Sequence, residues 1–122
     1  MYRDVSDVLA RVQGTVPFLG IELRDINQRG LFDDTPLILV MSWDDIAAAD
    51  LLLEGGAEVD AKGENGDTAL HRAASFGNAE LVRLLLANNA PTSPKNDDGH
   101  TPFDLAKLLG NDGIATMLTD RS

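Results

Sequence analysis

The chain has 122 residues, 43% of them hydrophobic and 25% charged, and these values are ordinary for one folded domain. Its net charge of −10 argues against a nucleic-acid or anionic-membrane surface, because phosphate groups require clustered Lys and Arg. The charge favours a basic partner, or serves solubility alone. No apolar stretch reaches the length of a bilayer, the first residues lack the features of a secretion signal, and cysteine is absent. We therefore expect a cytoplasmic protein without disulfide bonds.

The first 25 residues begin with a helical pattern and then lose it. Apolar residues follow helical spacing from Val5 to Val12, and Asp4 or Ser6 can cap this helix. A glycine and a proline break the pattern shortly afterwards. We predict that residues 1–25 form a divergent N-terminal cap, since the end of a stacked array must cover an otherwise exposed apolar face.

The rest of the sequence repeats with a period of 33 residues, the interval from Thr35 to Thr68 and from Thr68 to Thr101. Each threonine is followed by proline or alanine and then by a large apolar residue. Threonine is a good helix N-cap, and proline suits the first helical position. The period divides a single domain into three repeats, at residues 26–58, 59–91 and 92–122, the last of which includes a C-terminal cap.

Each repeat carries the start and stop signals of two helices. In the second repeat, Thr68 opens the first helix and Gly77-Asn78 turns the chain into an apolar second helix. The pair Gly55-Gly56 and the residue Asn89 stand where second helices close on a left-handed residue. The predicted helices of the outer repeats cover about residues 36–43, 46–54, 102–109 and 112–118.

The string from Asp67 to Ala74, Asp-Thr-Ala-Leu-His-Arg-Ala-Ala, resembles the helix-opening signature of an ankyrin repeat, whose length is also about 33 residues. The resemblance covers about residues 26–118. It implies an all-α, right-handed solenoid of helix-turn-helix units with hairpin-like turn tips and divergent capping ends. It also implies protein binding through the tips and the concave face of the first helices. Ile38 and Asp104 depart from the pattern, because they stand where repeat 2 has His71.

The sequence contains no convincing catalytic, cofactor or metal site. His71 and Ser75 are four residues apart and could form a base–nucleophile pair, but His71 matches a family position with a structural role. His100 is the only other histidine, and the acidic turns lack the spacing of a calcium loop. No glycine-rich phosphate loop with its lysine is present. We therefore predict that the chain is not an enzyme and needs no cofactor.

The register makes Trp43, Phe76 and Leu109 equivalent, each just before the turn between two helices. Matching positions in the family commonly contact partners, and aromatic anchors dominate interface energetics. Leu31 and Phe32 add apolar side chains at the first tip. Alternatively, Phe32 packs on the N-terminal cap and Trp43 on a neighbouring repeat. The predicted partner-binding residues are Leu31, Phe32, Asp34, Ser42, Trp43, Glu64, Asn65, Asp67, Ser75, Phe76, Asp97, Asp98, His100 and Leu109.

These features predict a protein–protein interaction module that is monomeric on its own and binds a protein with a basic surface, but neither nucleic acid nor membrane. The sharpest hypothesis is an immunity protein or antitoxin, because small stand-alone ankyrin arrays resemble bacterial proteins of that type and an acidic face attracts a basic toxin. One alternative is a generic adaptor or a regulatory subunit of a cytosolic enzyme. Another is a mimic of nucleic acid, whose carboxylates imitate phosphates.

Overall fold

A computed structural model describes residues 2–15, 26–30 and 33–119. Within these ranges the chain forms α-helices, two short 3-10 turns and no strand, which confirms the predicted all-α class. The helices are α1 (Val5–Gln13), α2 (Pro36–Val40), α3 (Ile46–Glu54), α4 (Ala69–Phe76), α5 (Ala79–Ala87), α6 (Pro102–Leu108) and α7 (Asp112–Thr119).

The first helix of each repeat begins in the same way, on a threonine. Thr35, Thr68 and Thr101 have extended backbones, and each Oγ1 accepts a hydrogen bond from the backbone N–H three residues later, at 3.3, 3.3 and 3.2 Å. Such a cap stabilises a helix by about 1 kcal/mol. The α2 helix is shorter than predicted, because the chain tightens into a 3-10 turn over Met41–Trp43.

The turns between paired helices need a left-handed residue at one place in each repeat. Asp44, Gly77 and Gly110 occupy it, with φ of 56°, 76° and 77°. Glycine takes this conformation without strain, whereas aspartate is among the few other residues that tolerate it. The next residue then caps the second helix, as the side chains of Asp45 and Asn78 do.

The second helices close on the left-handed residues that the sequence predicts. Gly56 follows α3 with a φ of 100°, and Asn89 follows α5 with a φ of 65°. A residue of this conformation cannot continue the helix, so the helix ends there and the chain turns toward the next repeat.

The helices form two stacked rows with the core between them. The first helices α2, α4 and α6 lie side by side, α3, α5 and α7 form the second row, and α1 packs on α2 and α3 at one end. Small side chains such as Ala73 and Ala74, both fully buried, let neighbouring helices approach closely. In α1, Val8 and Val12 are also fully buried. Among the described helices, none is long and apolar enough to cross a membrane.

Candidate protein-binding surface

Arg72 ties the first two turn tips together from inside the stack. Its Nη2 lies 3.1 Å from Asp34 Oδ1, and its Nε lies 3.2 Å from Asp67 Oδ2. Asp34 Oδ1 also accepts the Glu64 backbone N–H at 2.9 Å, and Asp67 Oδ1 accepts Asn96 Nδ2 at 2.9 Å. Asp34 is therefore an interior residue, 5% exposed. The carboxylates of Asp34 and Asp67 both accept hydrogen bonds from the following repeat. Both aspartates hold the tips in position and offer little surface to a partner.

His71 plays a similar internal part in the second repeat. Its side chain is fully buried, Nδ1 accepts the Thr68 backbone N–H at 3.1 Å, and Nε2 donates to the His100 carbonyl at 2.8 Å. Burial lowers the pKa of His71, because the charged imidazolium loses solvation. With both ring nitrogens occupied, His71 is not placed to activate the half-buried Ser75. His100 contributes its backbone to the same contact and keeps a partly exposed side chain.

The tips of repeats 2 and 3 are joined to each other at their exposed ends. The Asp97 backbone N–H donates to the Asn65 carbonyl at 2.9 Å, and Asn65 Nδ2 donates to Asp98 Oδ2 at 3.1 Å. Asn65 can do both because it adopts the left-handed conformation, with φ of 62°. We define the acidic tips as Glu64, Asp97 and Asp98, all exposed. Their backbone is therefore held at a defined spacing.

A second set of hydrogen bonds joins the repeats, and it recurs with the 33-residue period. The Arg29 guanidinium donates to the Lys62 carbonyl, and Lys62 Nζ donates to the Lys95 carbonyl at 2.9 Å. Each contact joins residues 33 positions apart, so one kind of interaction recurs from repeat to repeat. It further fixes the stacking of the tips.

The three equivalent residues before the helix turns differ in their surroundings. Trp43 is partly buried beneath the guanidinium of Arg11, which lies 3.9 Å from the ring centroid and forms a cation–π contact. In contrast, Phe76 is 56% exposed and Leu109 is 57% exposed. We call Phe76 and Leu109 the apolar pair. They stand at the ends of α4 and α6, which pack against each other, so the most accessible apolar surface lies on repeats 2 and 3.

The remaining predicted residues of the first repeat are Ser42, Leu31 and Phe32. Ser42 is exposed and its Oγ donates to the Leu39 carbonyl at 2.8 Å. Leu31 and Phe32 fall outside the described residues. The contact of Trp43 with Arg11 was not predicted, because no short segment of the sequence indicates which residue of α1 lies against the first repeat.

The sequence reasoning also missed two exposed apolar residues of α6. Phe103 is 37% exposed and Leu108 is 65% exposed. The repeat register contained a signal for both. Leu108 occupies a position that carries serine in the other repeats, and Phe103 is the counterpart of Leu37 and Leu70, which are buried.

Within the described ranges, no group of three His, Asp or Glu side chains is arranged to hold a metal ion. The polar side chains of the tips instead form hydrogen bonds with one another and with the backbone of the adjacent repeat. Chemically, repeats 2 and 3 present exposed apolar side chains at the ends of α4 and α6 and exposed carboxylates at the turn tips before these helices, a combination that suits recognition of another polypeptide.

The family model for ankyrin repeats in three copies matches residues 9–94 and 37–122. No curated protein matches the chain. Ankyrin repeats generally mediate protein–protein interactions, and the family is typically non-catalytic. With the repeating threonine caps, two rows of helices and linked tips described above, the chain belongs to the ankyrin-repeat family.

Proposed function

We propose that this chain is a non-catalytic protein-binding module whose partner docks on the apolar pair and the acidic tips of repeats 2 and 3. The observation that carries this proposal is the exposure of Phe76 and Leu109 at equivalent positions of stacked helices. Large apolar side chains that are exposed together indicate an interaction surface, and aromatic residues are the commonest anchors of such surfaces.

The rigidity of the tips supports the same proposal. Asn65 links the tips through its carbonyl and its side chain, and His71 holds the base of the third tip through the His100 carbonyl. A partner that binds a preorganised backbone avoids part of the entropy cost of ordering it. Binding energy from the apolar pair then appears as affinity.

Charge supports a partner with a basic surface. The described basic side chains that form ion pairs within the chain are Arg3, Arg11, Arg29, Arg72 and Lys107. No cation in the described part of the chain forms an ion pair with the acidic tips. A net charge of −10, together with exposed carboxylates that form no ion pair with a described cation, accelerates the approach of a cationic protein.

The sharpest form of the proposal is an immunity protein or antitoxin that neutralises a basic toxin. A generic ankyrin adaptor or a regulatory subunit of an enzyme would use the same surface. The identity of the bound protein distinguishes these roles from that of an immunity protein. A mimic of nucleic acid is the third candidate, and it differs chemically. A mimic depends on Asp97 and Asp98, whereas a protein-docking surface also depends on the apolar pair.

The test is capture of partners from the native host with three forms of the tagged chain. We expect the Phe76→Ser/Leu109→Ser variant to lose the protein that the natural chain retains. The matched control is Arg83→Ala, because Arg83 is exposed on α5, in the other row of helices. Loss of a partner from the double variant but not from the control supports the proposal, and equal capture by all three forms contradicts it.

Salt dependence tests the electrostatic part. The association rate of the captured partner should fall as ionic strength rises, because the Debye length shortens to about 8 Å at 0.15 M salt. Replacing Asp97 and Asp98 by Asn should reduce that dependence and leave the apolar contribution in place. If the rate is independent of salt, acidic steering plays no part.

A further inference from the structure

The tip of repeat 2 contains the only Asn-Gly pair in the sequence, Asn65-Gly66. Both residues have a positive φ, 62° and 69°, and the Asp67 backbone N–H donates across them to the Glu64 carbonyl at 3.3 Å. Asn-Gly is the pair that best supplies such a turn. Packing also requires the glycine, since a Cβ on Gly66 would lie 3.1 Å from the Asp97 backbone nitrogen. The shape of the tip therefore demands two residues that are chemically labile together.

An Asn-Gly pair can deamidate without an enzyme. The Gly66 backbone nitrogen loses its proton and bonds to Cγ of Asn65, and Nδ2 takes up a proton and leaves as ammonia. Water then opens the five-membered imide at one of its two carbonyls, which gives aspartate or isoaspartate. Glycine favours the first step, because without a Cβ its nitrogen approaches the side chain freely. Asn65 is exposed, so water has access to the site.

The folded chain holds Asn65 in a conformation from which this reaction cannot start. With a ψ of 18°, the Gly66 nitrogen must turn by about 140° around the Cα–C bond before it lies beside the Asn65 side chain. That rotation breaks the hydrogen bonds from Gly66 N–H to the Gly63 carbonyl, at 3.0 Å, and from Asp97 N–H to the Asn65 carbonyl, at 2.9 Å. The contact of Nδ2 with Asp98 Oδ2, at 3.1 Å, is lost as well, because Nδ2 is the leaving atom.

We propose that Asn65 is a site of spontaneous deamidation and that its contacts with repeat 3 control the rate. We define the tip link as the hydrogen bonds of Asn65 with the Asp97 backbone N–H and with Asp98 Oδ2. While the tip link is closed, the Gly66 nitrogen is kept away from Cγ. The rate of deamidation is then proportional to the fraction of time for which the tip link is open. This chemistry requires only water and does not depend on the proposed partner.

Deamidation to aspartate turns the tip link from attraction into repulsion. An aspartate at position 65 tolerates the left-handed backbone, as Asp33 and Asp44 do with φ of 68° and 56°. It has no side-chain N–H to donate, and its carboxylate would face that of Asp98. Isoaspartate instead adds a methylene group to the main chain of the turn. Either product loosens the junction of repeats 2 and 3 and adds a charge to the acidic tips.

Mass spectrometry measures the rate directly, because deamidation adds about 1 Da to a peptide. Cleavage after Lys62 and Arg72 releases a peptide whose only asparagine is Asn65. The natural chain is incubated at mildly alkaline pH, both folded in buffer and unfolded in guanidinium chloride, and is digested at intervals. We expect Asn65 to deamidate in the unfolded chain and at least about tenfold more slowly in the folded chain. Equal rates, or an Asn65 that stays intact in the unfolded chain, overturn the proposal.

Two variants test whether the tip link controls the rate. Asp98→Ala removes the acceptor of the Asn65 side chain, and we expect the folded variant to deamidate about fivefold faster than the natural chain. The matched control is Glu64→Gln, which removes a charge beside Asn65 and leaves the tip link in place. Circular dichroism shows that both variants are folded. If Asp98→Ala does not accelerate the reaction, or if both variants accelerate it equally, the tip link does not control deamidation.

Hydrogen exchange provides an independent measurement that needs no variant. The amide hydrogens of Gly66 and Asp97 exchange with solvent when the bonds that hold them open, so their protection measures the open fraction. We expect deamidation of the folded natural chain to be slowed by at least the factor by which these amides are protected. If Asn65 deamidates faster than this open fraction allows, the reaction does not require the tip link to open and the proposal is wrong.

Discussion

Replacing Arg72 with methionine should be one of the most destabilising single changes at a polar residue of this chain. The Arg72 side chain is only 18% exposed and lies within 3.2 Å of two carboxylates, Asp34 and Asp67, whose side chains are 7% and 14% exposed. Methionine preserves much of the aliphatic volume and removes the charge. The two aspartates then remain poorly solvated without their cation, while Asp34 still accepts the Glu64 backbone N–H.

The magnitude follows from what the substitution leaves behind. Removing one partner of a buried ion pair costs about 3–5 kcal/mol, because the remaining charge keeps its desolvation penalty. Arg72 retains some solvent access and the aspartates keep their other hydrogen bonds, so we expect a loss near the lower limit, about 3 kcal/mol. For a domain whose total stability is about 5–15 kcal/mol, this is a large fraction.

Urea unfolding followed by circular dichroism measures the effect. With a slope of about 1.5 kcal/mol per molar urea, the midpoint should fall by about 2 M. Arg83→Met is the matched control, since Arg83 is exposed and forms no ion pair with the described residues, and its midpoint should move by less than about 0.3 M. If Arg72→Met and Arg83→Met unfold at the same urea concentration, the contacts of Arg72 with Asp34 and Asp67 do not stabilise the stack.

The remaining predictions concern pH and two glycines. Because burial lowers the pKa of His71 below its ordinary 6.5, the unfolded chain binds more protons near that pH; stability should be complete above about pH 6.5 and decline as the pH falls below it. Unfolding midpoints measured at pH 7.5 and 5.5 give this loss of stability. The loss should be smaller in the His71→Gln variant, provided that the variant folds. If the loss is unchanged, groups other than His71 cause it. Gly113→Ala should stabilise the chain by about 1 kcal/mol, because Gly113 lies in α7 with open space around the added methyl group. Gly63→Ala should destabilise it by at least about 1 kcal/mol, because its methyl group would collide with the buried Asp34 carboxylate. Thermal or urea unfolding of both glycine variants tests the two predictions. If the two unfolding midpoints shift in the same direction, the reasoning is wrong.

The helix boundaries were predictable because their signals act over a few residues. A threonine oxygen reaches the N–H three residues later, so Thr35, Thr68 and Thr101 mark helix starts wherever the chain lies in space. Asn89 is likewise left-handed for a reason local to its own backbone. The limits of local reasoning appear at α2, which the sequence predicts to continue to Trp43 and which tightens into a 3-10 turn after Val40.

The candidate surface was predicted less completely, because exposure depends on residues far away in the chain. Asp34 and Phe76 look equally suitable for a partner in the sequence. The structure buries Asp34 beneath contacts with Arg72 and the Glu64 backbone, 38 and 30 positions away, and leaves Phe76 exposed. Trp43 is partly covered for the same kind of reason, since Arg11 reaches it from α1.

The sequence by itself determined the period, the all-α class and the places where helices begin, because capping and backbone conformation are properties of short segments. Only the tertiary structure decided which polar and apolar side chains remain accessible. Phe103 and Leu70 occupy the same place in their repeats, yet Leu70 is buried in α4, against which α6 packs, whereas the described ranges contain no further first helix to pack against α6. Burial is set by the neighbouring helix, and the sequence of one repeat does not contain that neighbour.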